Sequence, residues 1–144
     1  MGTVTYLHLP VGQSPPSLEG YRPFKAVLVI EASLTDEWQS IVSEWLVHSG
    51  CLYMMAWGTD CSSWDDSVDY AHLSVFDFGE IPDDASVMTT WHAHEPLTEA
   101  FWFAAHCAVH PTMPLDHTFI IHISADARRD ELLGAFQKER ESRS

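Results

Sequence analysis

The chain has 144 residues, 46 % of them hydrophobic and 12 % aromatic, with 21 acids against 7 Lys and Arg and a net charge of −14. That apolar content excludes intrinsic disorder and suits one domain. The charge repels phosphate backbones and anionic lipid, so neither nucleic acid nor a membrane surface is expected as a partner.

Residues 1–9 (MGTVTYLHL) alternate weakly and could add a short edge strand. Residues 10–23 hold four prolines and two glycines and read as an extended arm. The expected organisation is therefore an N-terminal arm or loop over 1–23 and a single α/β domain over 24–144. FKAVLVIE (24–31) is a short β-branched run, the pattern of a strand buried on both faces. Ser33 and Asp36 have capping-box spacing. Trp38, Ile41, Val42, Trp45 and Leu46 then recur at helical spacing, and Gly50 is a suitable stop. CLYMMAW (51–57) is the second strand of this pattern. Trp64, Val68, Ala71 and Val75 predict a second helix ending near Gly79. VMTTWH (87–92) is the third strand. Pro96 suits a first helical turn, followed by a helix to about Val109. HTFIIHIS (117–124) is the fourth strand, and Leu132, Leu133 and Phe136 mark a last helix with Lys138 and Arg140 near its end.

Strands alternating with helices predict a small doubly wound, four-stranded, mainly parallel sheet with helices on both faces. The simplest strand order among these four runs is 2-1-3-4.

The distribution of charge says more than its sum. Between Ala26 and Ala127 there is no Lys or Arg, yet the stretch carries 16 of the 21 acids. Such a surface attracts a basic protein or a divalent metal, and at the least keeps the chain soluble. Three cysteines without a CxxC argue against a disulfide framework. No secretory leader is evident at the N-terminus, so a cytoplasmic location is expected.

In an open parallel sheet, ligands bind beyond the carboxyl ends of the strands. Glu31, Ser33, Asp60, Cys61, Ser62, His92, His94, Glu95, Ser124 and Asp126 fall there, flanked by Trp57, Trp64 and Trp91. Cys61 precedes a helix, which favours a thiolate, while Asp60, Asp65 and Asp66 oppose one. As a nucleophile it would need His92 or His94 as base, with Glu95 alongside. The plainer reading is a loop thiol. His92 and His94, two apart on a strand end, could hold a divalent metal with nearby carboxylates, although HEPLT (94–98) lacks the second His of a metalloprotease motif. His106 and His110 form a second pair by spacing. Asp65 and Asp66 sit in a first helical turn, where acids are stabilised whatever their function. No phosphate-cradling glycine motif is present; Arg128 and Arg129 are the cations nearest this edge.

The segments SGCLYMMAWGTDCSSWDDSVD (49–69) and VMTTWHAHEPLTEAFWFA (87–104) resemble those of an uncharacterised family of short bacterial proteins, a domain of unknown function. The likeness runs from about Phe24 to Asp126. It implies a stand-alone bacterial domain and transfers no chemistry. In charge and architecture the chain is also similar to barstar-type inhibitors, small proteins that block a basic enzyme.

Two functions are expected from these residues. One is an acidic protein-binding module of immunity, inhibitor or accessory-subunit type, docking a basic protein through Asp60, Asp65, Asp66, Trp57, Trp64 and Trp91. The alternative is an enzyme or a small-ligand or metal-binding protein at the same edge, with Cys61, His92 and Glu95 catalytic and His92 and His94 as metal ligands. Apolar residues on the helices would serve a homodimer as well as a core.

Overall fold

The run Phe24–Ile30 forms β2, the middle strand of a five-stranded sheet. The computed structural model describes residues 2–142. Around β2 lie β1 (Thr3–His8), β3 (Cys51–Gly58), β4 (Met88–Trp91) and β5 (His117–Ile123), in the order β1-β5-β2-β3-β4 with every pairing parallel. Four helices connect or follow them: α1 (Asp36–Ser49), α2 (Ser63–Val75), α3 (Leu97–His106) and α4 (Arg129–Glu141). No described helix is long and apolar enough to cross a membrane.

β2 alternates its side chains between two apolar clusters, as strand geometry requires. Ala26, Leu28 and Ile30 pack with Trp38, Val42 and Leu46 of α1 and Trp64 and Val68 of α2. Val27 and Val29 pack with Phe101 and Ala104 of α3 and Leu132 and Phe136 of α4. Each fully buried Val, Leu, Ile or Phe among them contributes about 1.5–3 kcal/mol of transfer free energy. Gly50 closes α1 in the left-handed conformation, its N–H bonding back to Leu46 and Val47.

Three expectations need correction. The sheet has five strands, not four, because the weakly alternating N-terminal run pairs with β5 over its whole length. The order of the four later strands is not 2-1-3-4. HTFIIHI is apolar enough to be buried on both faces and lies beside β2, while short, polar MTTW takes the edge. The cap of α1 is Thr35, whose hydroxyl accepts from the Trp38 amide at 3.2 Å, not Ser33.

Candidate functional site

Strand order reverses at β2, between β5 on one side and β3 on the other, and the carboxyl end of the β2–β5 pair is filled by polar side chains. The Arg128 backbone N–H donates to Tyr6 Oη at 3.0 Å. Tyr6 Oη in turn donates to His122 Nδ1 at 2.6 Å. The other ring nitrogen, His122 Nε2, donates to Glu31 Oε1 at 2.6 Å, and the Arg128 guanidinium donates to the same oxygen. His8 Nε2 donates to the Ser124 carbonyl at 2.9 Å, and Ser124 Oγ to the Asp126 carbonyl at 2.8 Å.

This donor sequence requires a neutral His122, with Nδ1 as acceptor. Burial of the ring pushes its pKa below the ordinary value, and this outweighs the pull of Glu31. Burial alone would raise the Glu31 carboxyl; the hydrogen bonds from His122 and Arg128 outweigh it and hold the group below its usual range. A carboxylate so held is a poor general base, and His122 is fully buried. The cluster ties β1, β2, β5 and the start of α4 together. Sequence reading put Glu31, Ser124, Asp126 and Arg128 at this edge but missed Tyr6, His8 and His122. The available signal was a histidine inside an apolar strand.

The proposed Cys61–His92 pair is not brought together. Cys61 is buried in the α1–α2 cluster. His92 lies on the other face, its ring 5.0 Å from that of Phe103 in α3. There His92 Nδ1 meets Glu95 Oε2 at 3.1 Å and Nε2 meets Thr90 Oγ1 at 3.0 Å, while Trp57 Nε1 donates to the Glu95 carbonyl at 2.7 Å. Trp57, His92 and Glu95 therefore do converge, with both ring nitrogens of His92 engaged. His94 is exposed in the left-handed region at φ 63°. Among the described residues no three His, Cys, Asp or Glu side chains are grouped to hold a metal ion. His106 and His110 turn to separate carbonyls, those of Glu139 and Ser86. Burial pushes the Cys51 thiol up to about 12.

Trp64 is 1 % exposed and is a core residue, not a surface anchor. It follows from α2's own spacing, which buries positions 64, 68 and 71 together. Asp60 stands at φ 51°, its carbonyl accepting from Ser63 Oγ at 2.8 Å, and borders a cleft of about 140 Å³ with Asp36, Gln39 and Ser63. Asp65 accepts from Thr89 Oγ1, which joins α2 to β4.

The flank formed by α2 and the edge strand β4 is of another kind. Tyr70 is 65 % exposed, Phe78 59 % and Trp91 47 %, with Leu73 also exposed. Trp91 is in register with Ala56, so it lies on the face that α2 covers. Tyr70 and Phe78 meet edge to face with centroids 5.6 Å apart. α2 ends in a Schellman-type turn in which the Phe78 N–H bonds to the Leu73 carbonyl at 2.8 Å. Asp77 and Phe78 both have positive φ, 51° and 60°, which is uncommon for a ring-bearing residue. The same helix carries Asp65, Asp66 and Asp69, and Asp77 lies in the turn that closes it. Burial and the neighbouring charges of Asp65 and Asp66 push the Asp69 carboxyl above its ordinary range. Asp65, Asp66 and Trp91 were expected as surface residues; Tyr70 and Phe78 were not singled out.

All-parallel pairing of five strands with four helices defines an α/β protein. The chain belongs to a family described as a domain of unknown function (DUF7684), whose model matches residues 4–139, as the resemblance implied. No curated protein and no solved structure matches it.

Proposed function

We propose that this chain is a protein-docking module whose α2–β4 flank receives a basic partner protein, in the manner of an immunity protein, inhibitor or accessory subunit. The observation that carries this reading is a run of exposed apolar side chains along α2, from Trp91 on β4 to Tyr70, Leu73 and Phe78 at the helix's far end, on a helix that also carries Asp65, Asp66 and Asp69 and closes at Asp77. No Lys or Arg occurs from Ala26 to Ala127, although Arg22 shares a cavity with Val75 and Phe76 at the end of α2. Tyr and Trp are the side chains that anchor interfaces, because they bury much area for little lost rotamer freedom. Acidic neighbours would speed encounter with a basic surface and reject acidic ones. Crowded carboxylates at Asp65, Asp66 and Asp69 are repelling one another already, and an approaching cation relieves that repulsion.

The sheet reads as a doubly wound sandwich, in which the crevice at the strand-order reversal is the usual ligand site. Here Tyr6, His122, Glu31 and Arg128 occupy that position with their hydrogen bonds mutually satisfied, which leaves recognition to the flank. The competing reading is an enzyme or small-ligand site at Trp57, His92 and Glu95. It has the gathering of those three residues in its favour and the engagement of both His92 nitrogens against it.

The test is native mass spectrometry of the protein purified gently from its own host at low salt. Wild type should carry a stoichiometric companion chain of net positive charge that dissociates as salt rises. A bare chain, or a small-molecule adduct without a companion chain, would overturn the reading.

A further inference from the structure

At the opposite end of the sheet from the strand-order reversal, a cavity of about 390 Å³ opens between β1, β2, β5 and the carboxyl ends of α3 and α4. Lys25, His106 and Arg140 line it, with Thr118, Asp116 and the ring of Phe136. Two cations and an imidazole on one cavity are unexpected in a chain with three acids for every Lys or Arg. Among the described residues, neither Lys25 nor Arg140 forms an ion pair with a carboxylate, although Asp116 lines the same space.

Carbonyl capping accounts for part of this arrangement. Lys25 Nζ donates to the Ala104 carbonyl at 2.6 Å, and an Arg140 terminal nitrogen donates to the Gly2 carbonyl at 2.9 Å. Both helix ends also favour nearby positive charge. Capping leaves donors over. An ammonium has three N–H groups and Lys25 uses one of them here. The two terminal nitrogens of Arg140 donate once each, to the Gly2 carbonyl and to Gln137 Oε1, and each keeps a second N–H. Spare charged donors beside a cavity, with no carboxylate paired to them among the described residues, point to an anionic acceptor. Burial also pulls the Lys25 pKa down, as expected of an ammonium with no counter-charge.

We infer that this cavity is a binding site for a small organic anion, a carboxylate or phosphate head held by Lys25 and Arg140 with its apolar body against Ala105 and Leu115. The volume lies within the range of about 300–1,000 Å³ usual for ligand pockets. The Arg140 guanidinium stands over the Phe136 ring, 5.9 Å from its centroid, which helps to hold the cation at the cavity. The net charge of the chain opposes anions at long range, but at about 0.15 M salt the screening length is about 8 Å and the cavity's own cations dominate.

The experiment is an amide NMR titration of the intact, isotope-labelled protein at that ionic strength, with sodium benzoate and with inorganic phosphate as probes and sodium chloride as the matched control. Saturable shifts at Lys25, His106, Thr118 and Arg140 are expected with at least one probe and not with chloride. The probe that binds identifies the head group. Lys25→Met and Arg140→Gln should each weaken that binding by about tenfold, the loss expected for a charge-assisted contact. Lys25 is partly buried; if its variant fails to fold, Arg140→Gln, in the last turn of α4, decides alone. Absence of saturable shifts beyond those of chloride would overturn the inference, as would unchanged binding in Arg140→Gln.

Discussion

Two regions of the molecule carry polar and aromatic side chains, and they use them in opposite ways. Around His122, Nδ1 meets Tyr6 and Ser124 and Nε2 meets Glu31, and these partners are bonded in turn, so both nitrogens of the buried ring are engaged. Along α2 and β4 the aromatic rings face solvent and the carboxylates repel one another. A buried polar group is costly unless fully bonded, so the first arrangement is a way of fastening chain segments together. The second stabilises the fold little and offers surface to another molecule. A cluster of titratable residues at a strand-order reversal is thus no sufficient sign of chemistry; what matters is whether its atoms remain available.

The largest effect that could break this contrast is on stability. His122→Ala removes the bonds to Tyr6 and Glu31 and leaves a cavity, and should cost about 3 kcal/mol by urea denaturation. A loss below about 1 kcal/mol would mean that the network fastens nothing, since exposed substitutions already cost up to about 0.5 kcal/mol. The pH dependence comes next. The folded His122 binds its proton less readily than the free side chain, whose value is 6.5. Below that pH the unfolded chain takes up a proton that the folded chain resists, so stability should fall as pH drops from about 7.5 to 5.5. His117, also lowered by burial, contributes with the same sign. The fall should therefore be smaller, but not absent, in His122→Ala; an identical fall in both proteins would remove His122 as a cause. Glu31, held below its usual range, keeps its contribution through this window and loses it only in stronger acid.

Smaller changes sharpen the other side of the comparison. Asp77→Gly relieves a left-handed residue at the end of α2 and should raise stability by about 0.5–1 kcal/mol in the same assay. Tyr70→Ser and Phe78→Ser should alter it by no more than about 0.5 kcal/mol, because both rings are exposed. A cost well beyond that would make the rings part of the core's support and not a spare surface.

The helices and strands were legible because their signals are local. The stripe of Trp38, Val42 and Leu46 and the apolar run of β2 declare themselves within one segment. Strand order was not, because it depends on which run tolerates burial on both faces. β5 does so and β4 does not, a ranking that appears only when the two are compared. The site was legible in part for the same reason. Glu31 and Ser124 could be assigned to the edge from strand ends alone. Tyr6 and His122 are 116 residues apart, and their contact depends on β1 pairing with β5. Trp64 reads as a docking residue and Cys61 as a loop thiol from their polar neighbours, whereas the buried stripe of α2 draws Trp64 inward and Cys61 packs beside it.

The central claim is that the α2–β4 flank binds a basic partner, and the most direct measurement compares wild type with the double variant Asp66→Lys, Asp77→Lys. Both positions are exposed, so the fold should persist. With the proteins recovered from the same host at low salt and weighed by native mass spectrometry, the account predicts that the basic companion chain stays with wild type and is lost from the double variant. Equal retention of the companion by the two proteins would contradict it.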